Sequence, residues 1–293
     1  MEFSTHLLVS ALLSGVLLGA FYASIASGLA LVFGVLEIPN LAHPAVVVAA
    51  ALLVHTLNSW GIDPLLSGLL LAPVFFVAGV GFYKLYRAVF ESRGKVDPLR
   101  SFSLFFGISF LIEIALILTY GVDFQSVDAP YIGRSLVLGT FRVPYRMLAS
   151  FVCGTALLLA LQQYLSRTMT GRAIRAAGYD QAALPMLSIN PARIRQLAFG
   201  LSLATAAVAG SLMIVIGPVQ PSADRVYIGR AFAVVVLAGM GSVTGVYVAG
   251  ILLGIAESVV LTIFGASWAT AVSFSLVLVV LAVRPAGLFG RMR

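Results

Sequence analysis

Long, continuous apolar runs constrain the fold of this sequence more than any other feature. The candidate membrane spans lie at about 7–34, 43–58, 64–88, 101–121, 147–166, 194–217, 231–264 and 267–283. About 20 apolar residues suffice to cross the hydrocarbon layer as a helix. Backbone groups in lipid must pair internally, which leaves helices or closed barrels, and barrel strands alternate apolar and polar residues. Because these runs do not alternate, the sequence predicts an all-α, polytopic transmembrane helix bundle of about eight spans.

The balance of polar and apolar residues excludes a soluble protein. Only 10% of the 293 residues are charged, and the mean hydropathy is +1.05, whereas soluble domains carry about 25% charged residues. The polar gaps between the runs are too short to hold a soluble domain. The single cysteine, Cys153, cannot form an intramolecular disulfide. We therefore expect residues 1–293 to form a single transmembrane domain.

The basic residues are concentrated in three polar segments. Thirteen of the 18 lysines and arginines lie within residues 84–100, 167–195 and 284–293. The positive-inside rule assigns these segments to the cytoplasm, which places the N-terminus outside and the C-terminus in the cytoplasm. The polar segments 122–146 and 218–230 are then expected outside. Nucleic-acid binding is not expected, because the basic residues adjoin membrane spans.

Two apolar runs are too long for one straight crossing, and each contains a break. The first breaks at Gly28–Gly34 and again at Glu37–Pro44, and the seventh breaks at Gly239–Gly245. Interrupted apolar segments in corresponding places of two halves indicate a transport site near the middle of the membrane. The sequence therefore predicts two broken or re-entrant segments that face each other across a translocation path. The predicted path residues are Glu37, Asn40, His43, Gly239, Gly241 and Ser242.

A structural explanation of the same residues remains open. The breaks can be ordinary turns between short helices, with Asn40 and His43 hydrogen-bonding the backbone groups that a break frees. Glu37 fits either a gate or a structural contact. For Glu113 and Glu257, which also lie in apolar runs, we expect interhelical structural pairs, because an unpaired carboxylate in hydrocarbon is costly.

Pairs of glycines four residues apart predict close helix packing. They are Gly15/Gly19, Gly241/Gly245 and Gly250/Gly254. Small residues at this spacing let two helix backbones approach closely in lipid. The pattern is common in membrane helices, so it indicates packing and carries no functional assignment.

The basic, alanine-rich segment 167–193 is predicted to be a cytoplasmic docking surface. If residues 172–184 are helical, Ala173, Ala176, Ala177 and Asp180 share one small, flat face that can lie in a groove of a soluble partner. The alternative is an amphipathic helix lying on lipid, which favours bulkier apolar residues. The predicted coupling residues are Arg172, Arg175, Ala176, Ala177, Asp180, Ala182, Ala183, Ile189 and Asn190.

Motifs for catalysis and for metal binding are missing from the sequence. The three histidines, His6, His43 and His55, form no HExxH motif, and the one Gly-Lys pair, Gly94-Lys95, is not followed by Ser or Thr as a P-loop requires. We therefore predict no catalytic residues, no metal site and no cofactor bound by this chain. This chain is therefore not expected to hydrolyse nucleotide itself.

Four motifs together resemble a known family. They are Gly28–Val35 leading to Asn40-Leu41-Ala42-His43, Gly171–Ala176 through Ala182-Ala183-Leu184 to Ile189-Asn190, Ala238–Gly245 with Gly250–Glu257, and Arg284–Gly290. In these, the chain resembles the permease subunits of bacterial ABC importers for branched-chain amino acids, with the urea-importer permeases as near relatives. It departs from the family pattern at Pro44 and Ser188, where the family usually has glycine, and at Pro185, which interrupts the coupling segment.

The resemblance implies a multi-subunit importer in the bacterial inner membrane. This chain would be its multi-pass permease, with 167–193 as the segment that couples it to ATP hydrolysis. Its partners would be a second homologous permease, two cytoplasmic ATPase subunits, a periplasmic substrate-binding protein and the lipid bilayer. Branched-chain amino acids are the first expectation for the substrate, and urea, short amides and small carboxylates stay open. Two other classes stay open as well, namely an ion-coupled secondary transporter and a membrane-embedded assembly subunit without a path.

Overall fold

The computed structural model describes residues 5–36, 39–90, 98–138, 141–180, 184–239, 241–284 and 287–290. Its helices are α1 (Thr5–Leu36), α2 (His43–Ser59), α3 (Pro64–Val89), α4 (Pro98–Tyr120), α5 (Tyr145–Arg167), α6 (Met169–Tyr179), α7 (Pro191–Ile216), α8 (Asp224–Ala238), α9 (Val243–Phe264) and α10 (Ala266–Val283). A short antiparallel hairpin, β1 (Ser135–Leu138) and β2 (Phe141–Pro144), precedes α5. Within the described residues, seven helices are long and apolar enough to cross a membrane, and α2 is a shorter apolar helix. The predicted all-α, polytopic bundle is confirmed.

The bundle has two distinct ends, which we call the hairpin end and the α6 end. At the hairpin end, the ring of His6 near the start of α1 stacks on Phe141 with ring centroids 4.5 Å apart. At the α6 end, α6 lies so close to the end of α1 that a Cβ on Gly178 would be 2.7 Å from the Gly34 carbonyl oxygen. Helix α1 therefore runs from the hairpin end to the α6 end. Because α6 leads into α7, α7 runs in the opposite direction.

The helices α1–α4 and α7–α10 form two similar groups of opposite orientation. Two long helix contacts join the groups to each other. Helix α1 packs antiparallel along α9, and α7 packs antiparallel along α3. Helix α2 packs on α7 just as α8 packs on α1. Each of these contacts in one group therefore has a counterpart in the other. This is the arrangement of an inverted-topology repeat, a type of repeat that the paired breaks in the sequence also indicate.

Glycines form the seam between α1 and α9. A Cβ added at Gly15 would lie 2.6 Å from the Cα of Ile255, and one at Gly19 would lie 2.5 Å from the Cα of Ile251. Both distances are shorter than any real carbon contact, so the two backbones touch directly. The close packing predicted from Gly15/Gly19 and Gly250/Gly254 is confirmed. The Gly241/Gly245 pair is different, because Gly241 lies in a turn rather than on a helix face.

The first predicted break is shorter than the sequence indicates. Residues 28–34 are helical, so the prediction of a break at Gly28–Gly34 is wrong. Glycine in a helix interior costs only about 1 kcal/mol relative to alanine, and here it provides room, since a Cβ on Gly28 would be 2.5 Å from the His43 ring. Helix α1 therefore continues to Leu36, and the break lies between α1 and α2. Glu37 lies outside the described residues.

The second break is confirmed, and it is a turn at the α6 end. Helix α8 ends at Ala238 and α9 begins at Val243. Gly239 and Gly241 have φ of +85° and +79°, a left-handed conformation that L-residues with a side chain rarely adopt. The turn contacts the end of α1, where a Cβ on Gly34 would be 2.9 Å from the Gly241 Cα.

Candidate functional site

The α6 end collects the basic residues of the three predicted cytoplasmic segments. Those described there are Lys84, Arg87, Arg100, Arg167, Arg172, Arg175, Arg193, Arg195 and Arg284. They lie in the last turns of α3 and α5, at the starts of α4 and α7, on α6, and just after α10. Four further basic residues, Arg93, Lys95, Arg291 and Arg293, lie outside the described residues. The three segments thus share one end of the bundle, as their charge predicts.

Helix α6 is shorter than the predicted helix 172–184. It begins after Thr168, whose Oγ1 accepts a hydrogen bond from the Gly171 backbone N–H at 3.0 Å, and it ends at Tyr179. Asp180 follows the last turn in an extended conformation and is exposed. Ala182 and Ala183, which we predicted as coupling residues, lie outside the described residues.

The alanine face of α6 is directed into the chain's own core. Ala173 is 8% exposed and Ala177 is 3% exposed, while Ala176 is half-buried against the same core. The expectation that this face is a free surface is therefore wrong for Ala173 and Ala177. Its small side chains serve close packing of α6 on the bundle: a Cβ on Gly171 would collide with the backbone of Tyr164 and Leu165 at the end of α5.

The exposed surface of the segment carries apolar side chains that sequence reasoning missed. Arg172 and Asp180 are exposed, as predicted for contact residues, and Arg175 is half-buried. Beside them, Met186 is 87% exposed and Leu187 is 67% exposed. Both belong to a 3-10 turn, Pro185–Leu187. The only sequence signal for this turn is Pro185, which we treated as an interruption of the coupling helix.

The turn at residues 185–187 is held in place by local hydrogen bonds. The backbone N–H groups of Leu187 and Ile189 both donate to the Leu184 carbonyl, each at 3.0 Å. Leu184 is buried at 1% exposed, so it anchors the turn to the core. Ser188 closes the turn with a φ of +58°, a conformation in which a non-glycine residue is uncommon. Met186 is therefore presented on an ordered support.

The remaining predicted coupling residues connect the segment to α7. Ile189 is half-buried and packs against the main core. Asn190 caps α7, because its Oδ1 accepts hydrogen bonds from the backbone N–H groups of Ala192 at 3.0 Å and Arg193 at 3.4 Å. Asn190 is itself exposed. A force applied at residues 185–188 would thus reach α7 through its N-terminal cap.

Asn40 and His43 stabilise the start of α2 inside the bundle. Asn40 is 2% exposed, and its Oδ1 accepts a hydrogen bond from the Ala42 backbone N–H at 3.1 Å. His43 is fully buried; its Nε2 lies 3.0 Å from the Ile25 carbonyl oxygen, and its Nδ1 lies 3.4 Å from Ser202 Oγ. These contacts fit the structural explanation left open above.

The other predicted path residues lie in the turn between α8 and α9. Ser242 caps α9, since its Oγ accepts a hydrogen bond from the Gly245 backbone N–H at 3.0 Å. The C-terminal segment covers the same turn, where the Leu288 N–H donates to the Leu237 carbonyl at 2.8 Å. Gly241 lies against Gly34. The described contacts place the two breaks at different depths: the turn lies against Gly34 at the α6 end, whereas His43 lies deeper in the bundle beside Ile25 and Ser202.

A buried ionic cluster around Glu257 joins four helices. Glu257 on α9 accepts hydrogen bonds from Tyr22 of α1 at 2.6 Å, from the Nε of Arg230 of α8 at 3.0 Å, and from the Ser273 hydroxyl of α10. The Arg230 guanidinium also lies 5.5 Å from the centre of the Tyr22 ring. The expectation that Glu257 makes an interhelical structural pair is confirmed.

A second ionic cluster lies between α4 and α8. The Arg225 guanidinium donates to Glu113 through Nη2 at 2.7 and 2.9 Å and through Nε at 3.4 Å, so the pair predicted for Glu113 is also confirmed. Ser109 donates to Asp224 Oδ2 at 3.1 Å. The sequence placed Asp224 and Arg225 in an outside loop, 218–230. That prediction is wrong, because the chain re-enters the bundle after Val219 and α8 begins beside the middle of α4.

Comparisons with known proteins match the chain along nearly its full length. Residues 11–283 match the family described as the branched-chain amino acid transport system permease component. The permease protein BraD of Pseudomonas aeruginosa, named for high-affinity branched-chain amino acid transport, is 29% identical, with 96% of this chain and 95% of BraD aligned. The similarly named LivH of Escherichia coli K12 is 30% identical, with 95% and 94% aligned. A probable LivH of Methanocaldococcus jannaschii is 25% identical, with 91% and 87% aligned. No solved structure is significantly similar.

Proposed function

Because the chain belongs to the branched-chain amino acid transport system permease family, we propose that it is the permease subunit of an ABC importer for branched-chain or related amino acids. A periplasmic binding protein delivers the substrate at the hairpin end. Two ATPase subunits bind the α6 end, and a second homologous permease completes the transmembrane part. The observation that carries this proposal is the match over residues 11–283 to a family of transport permeases.

The distribution of charge supports the orientation of the subunit. The described basic residues of the three positive segments share the α6 end, which is cytoplasmic by the positive-inside rule. The chain then has its N-terminus outside, its C-terminus in the cytoplasm and α6 on the side where ATP is available. This location matches what ATP-driven coupling requires.

The coupling surface is formed by the exposed part of segment 167–193. We assign the central contact to Met186 and Leu187, with Arg172, Asp180 and Asn190 around them. Exposed apolar side chains on an ordered turn can be buried in a groove of a partner, and flexible methionine fits irregular grooves well. Rocking of the ATPases would then move the α6 end, including the start of α7, relative to the hairpin end.

Two alternatives differ from this proposal in what drives transport or what is carried. A secondary transporter needs unpaired acids at mid-membrane for ion coupling, and Glu113 and Glu257 do not supply them, because each is paired with an arginine. The match to a family of transport permeases favours the ABC importer over this alternative. An importer for urea or short amides would keep the same fold and the same ATPases. The names of the relatives described above refer to branched-chain amino acid transport, which supports a branched-chain amino acid as the substrate.

Reconstitution of the complete importer tests the proposal. The chain, its cognate second permease and its ATPases are assembled in proteoliposomes, and the loaded binding protein is added on the hairpin side. We expect leucine uptake that requires ATP on the α6 side. Uptake driven by an ion gradient without ATP would refute the ABC assignment. ATP-dependent uptake of urea without uptake of leucine, isoleucine or valine would refute the substrate class alone.

A further inference from the structure

The cluster formed by Ser109, Glu113, Asp224 and Arg225, which we call the α4–α8 cluster, lies at the middle depth of the bundle. Ser109 is 11 residues from the end of α4 at Tyr120, or about 16 Å at 1.5 Å per residue. The hydrocarbon layer is about 30 Å thick. The side chains that meet Ser109 and Glu113 therefore lie well inside the membrane, although the sequence assigns Asp224 and Arg225 to a polar loop.

Arg225 is exposed at this depth, which distinguishes the cluster from the other buried ion pair. Its side chain is 66% exposed, while its partner Glu113 is 6% exposed; in the Arg230–Glu257 pair the values are 17% and 4%. Charged side chains within the membrane face the bundle interior or a water-filled cavity, because lipid does not solvate them. The surface around Arg225 is therefore not a lipid-facing surface in the assembled transporter.

The α4–α8 cluster also offers a ligand both a hydrogen-bond acceptor and a hydrogen-bond donor. Asp224 is 6% exposed, and its Oδ1 has no hydrogen-bond partner, whereas its Oδ2 is bound by Ser109. The described hydrogen bonds of the Arg225 guanidinium to Glu113 use Nε and Nη2. A buried acceptor without a partner is costly. Two groups of the cluster can therefore bind a ligand: the Oδ1 acceptor of Asp224 and the outer edge of the Arg225 guanidinium.

We propose that Asp224 and Arg225 form a transient polar site on the translocation path that binds the ammonium and carboxylate groups of an amino acid zwitterion. The ammonium group binds Asp224 Oδ1, and the carboxylate binds the exposed edge of the Arg225 guanidinium. Asp224 is buried in this conformation, so binding requires the start of α8 to shift during the transport cycle. The choice of an amino acid as the ligand rests on the proposed function. The inference that Arg225 is exposed to water within the membrane does not.

Access of water to position 225 is tested by cysteine labelling in the assembled importer. Cys153 is replaced by Ser, and Arg225→Cys and Phe110→Cys are made separately in that background. Phe110 is the matched control, because it neighbours Ser109 on α4 at the same depth and is 51% exposed. A charged, membrane-impermeant thiol reagent should modify the Arg225→Cys variant and not the Phe110→Cys variant. An unreactive Arg225→Cys variant would overturn the proposal.

Substrate binding is tested by the number of leucine molecules transported per ATP hydrolysed. Asp224→Asn and Arg225→Gln should lower this ratio by about tenfold or more, the usual effect of losing a charged hydrogen bond. ATP hydrolysis stimulated by the loaded binding protein should stay close to that of the wild type. Adding a positively charged aminoethyl group to the Arg225→Cys variant should restore transport, and a negatively charged group should not. Arg134→Gln, which removes an exposed arginine from a loop, is the control and should transport normally.

The outcomes separate this proposal from the proposed function. If the wild-type importer carries no amino acid, the proposed function fails, while labelling of position 225 still reports on the path. If the wild type transports leucine and both Asp224→Asn and Arg225→Gln keep the normal ratio, the α4–α8 cluster is not a substrate site. If these variants lose assembly and ATP hydrolysis together with transport, the cluster is structural and the proposal is wrong.

Discussion

The direct contact between the backbones of α1 and α9 predicts that a single methyl group will destabilise the bundle. In Gly19→Ala, the new Cβ would lie 2.5 Å from the Ile251 Cα and 2.7 Å from the Gly250 carbonyl oxygen. Carbon atoms pack best at about 3.5–4.0 Å, so the two helices must separate by about 1 Å. No side-chain rotation can relieve this contact, because both neighbours are backbone atoms.

The expected loss of stability follows from overpacking. Extra methyl groups in a packed core cost about 1–3 kcal/mol, and this loss exceeds the gain of up to about 1 kcal/mol from replacing a helical glycine by alanine. At about 2–4 °C per kcal/mol, the melting temperature of the purified permease should fall by several degrees. Thermal unfolding in detergent, followed by the loss of monodisperse protein on size-exclusion chromatography, measures this change.

Gly107→Ala provides the matched control for that experiment. Gly107 lies on α4, and a Cβ added there meets nothing within 4 Å. The Gly107→Ala variant should therefore keep or raise the melting temperature through the higher helix propensity of alanine. If Gly19→Ala melts at or above the temperature of the wild type, then α1 and α9 are not in backbone contact and the described packing is refuted.

Three further predictions concern coupling, the Glu257 cluster and orientation. Met186→Asp should leave assembly in the membrane intact but reduce ATP hydrolysis stimulated by the binding protein, because a charge replaces the apolar contact; normal stimulation would place the coupling surface elsewhere. Glu257→Gln should destabilise the permease by about 3–5 kcal/mol, since it leaves the arginine partner buried without a counter-charge. Tyr22→Phe should cost less, about 1.5–3 kcal/mol, because it removes one hydrogen bond to a charged group; equal melting temperatures for the two variants would contradict this. In a cysteine-free background, impermeant reagents added outside intact cells should label a cysteine at position 128 and not at position 180, and the reverse pattern would invert the orientation.

The residue pattern by itself determined three features of the protein. They are the class of fold, the close packing of α1 on α9, and the location of the basic segments at one end of the bundle. These features follow from local composition: apolar runs of sufficient length must form helices in lipid, and glycines four residues apart allow backbones to touch. The turn at 239–242 was also predictable, because repeated glycine interrupts an apolar run. Pairing of Glu113 and Glu257 followed from the cost of an unpaired charge in hydrocarbon, although the sequence could not name the partners.

Only the tertiary structure decided which surfaces are free and at what depth the polar residues lie. Ala177 reads as a contact residue in the sequence, but α6 turns its alanine face to the core and leaves Met186 exposed. Asp224 and Arg225 read as a loop, because they lie in the polar gap 218–230 between two apolar runs, yet the chain re-enters the bundle before α8 begins. Depth and exposure depend on contacts between residues more than 100 positions apart, such as Ser109 with Asp224, and such contacts leave no local signal in a single sequence.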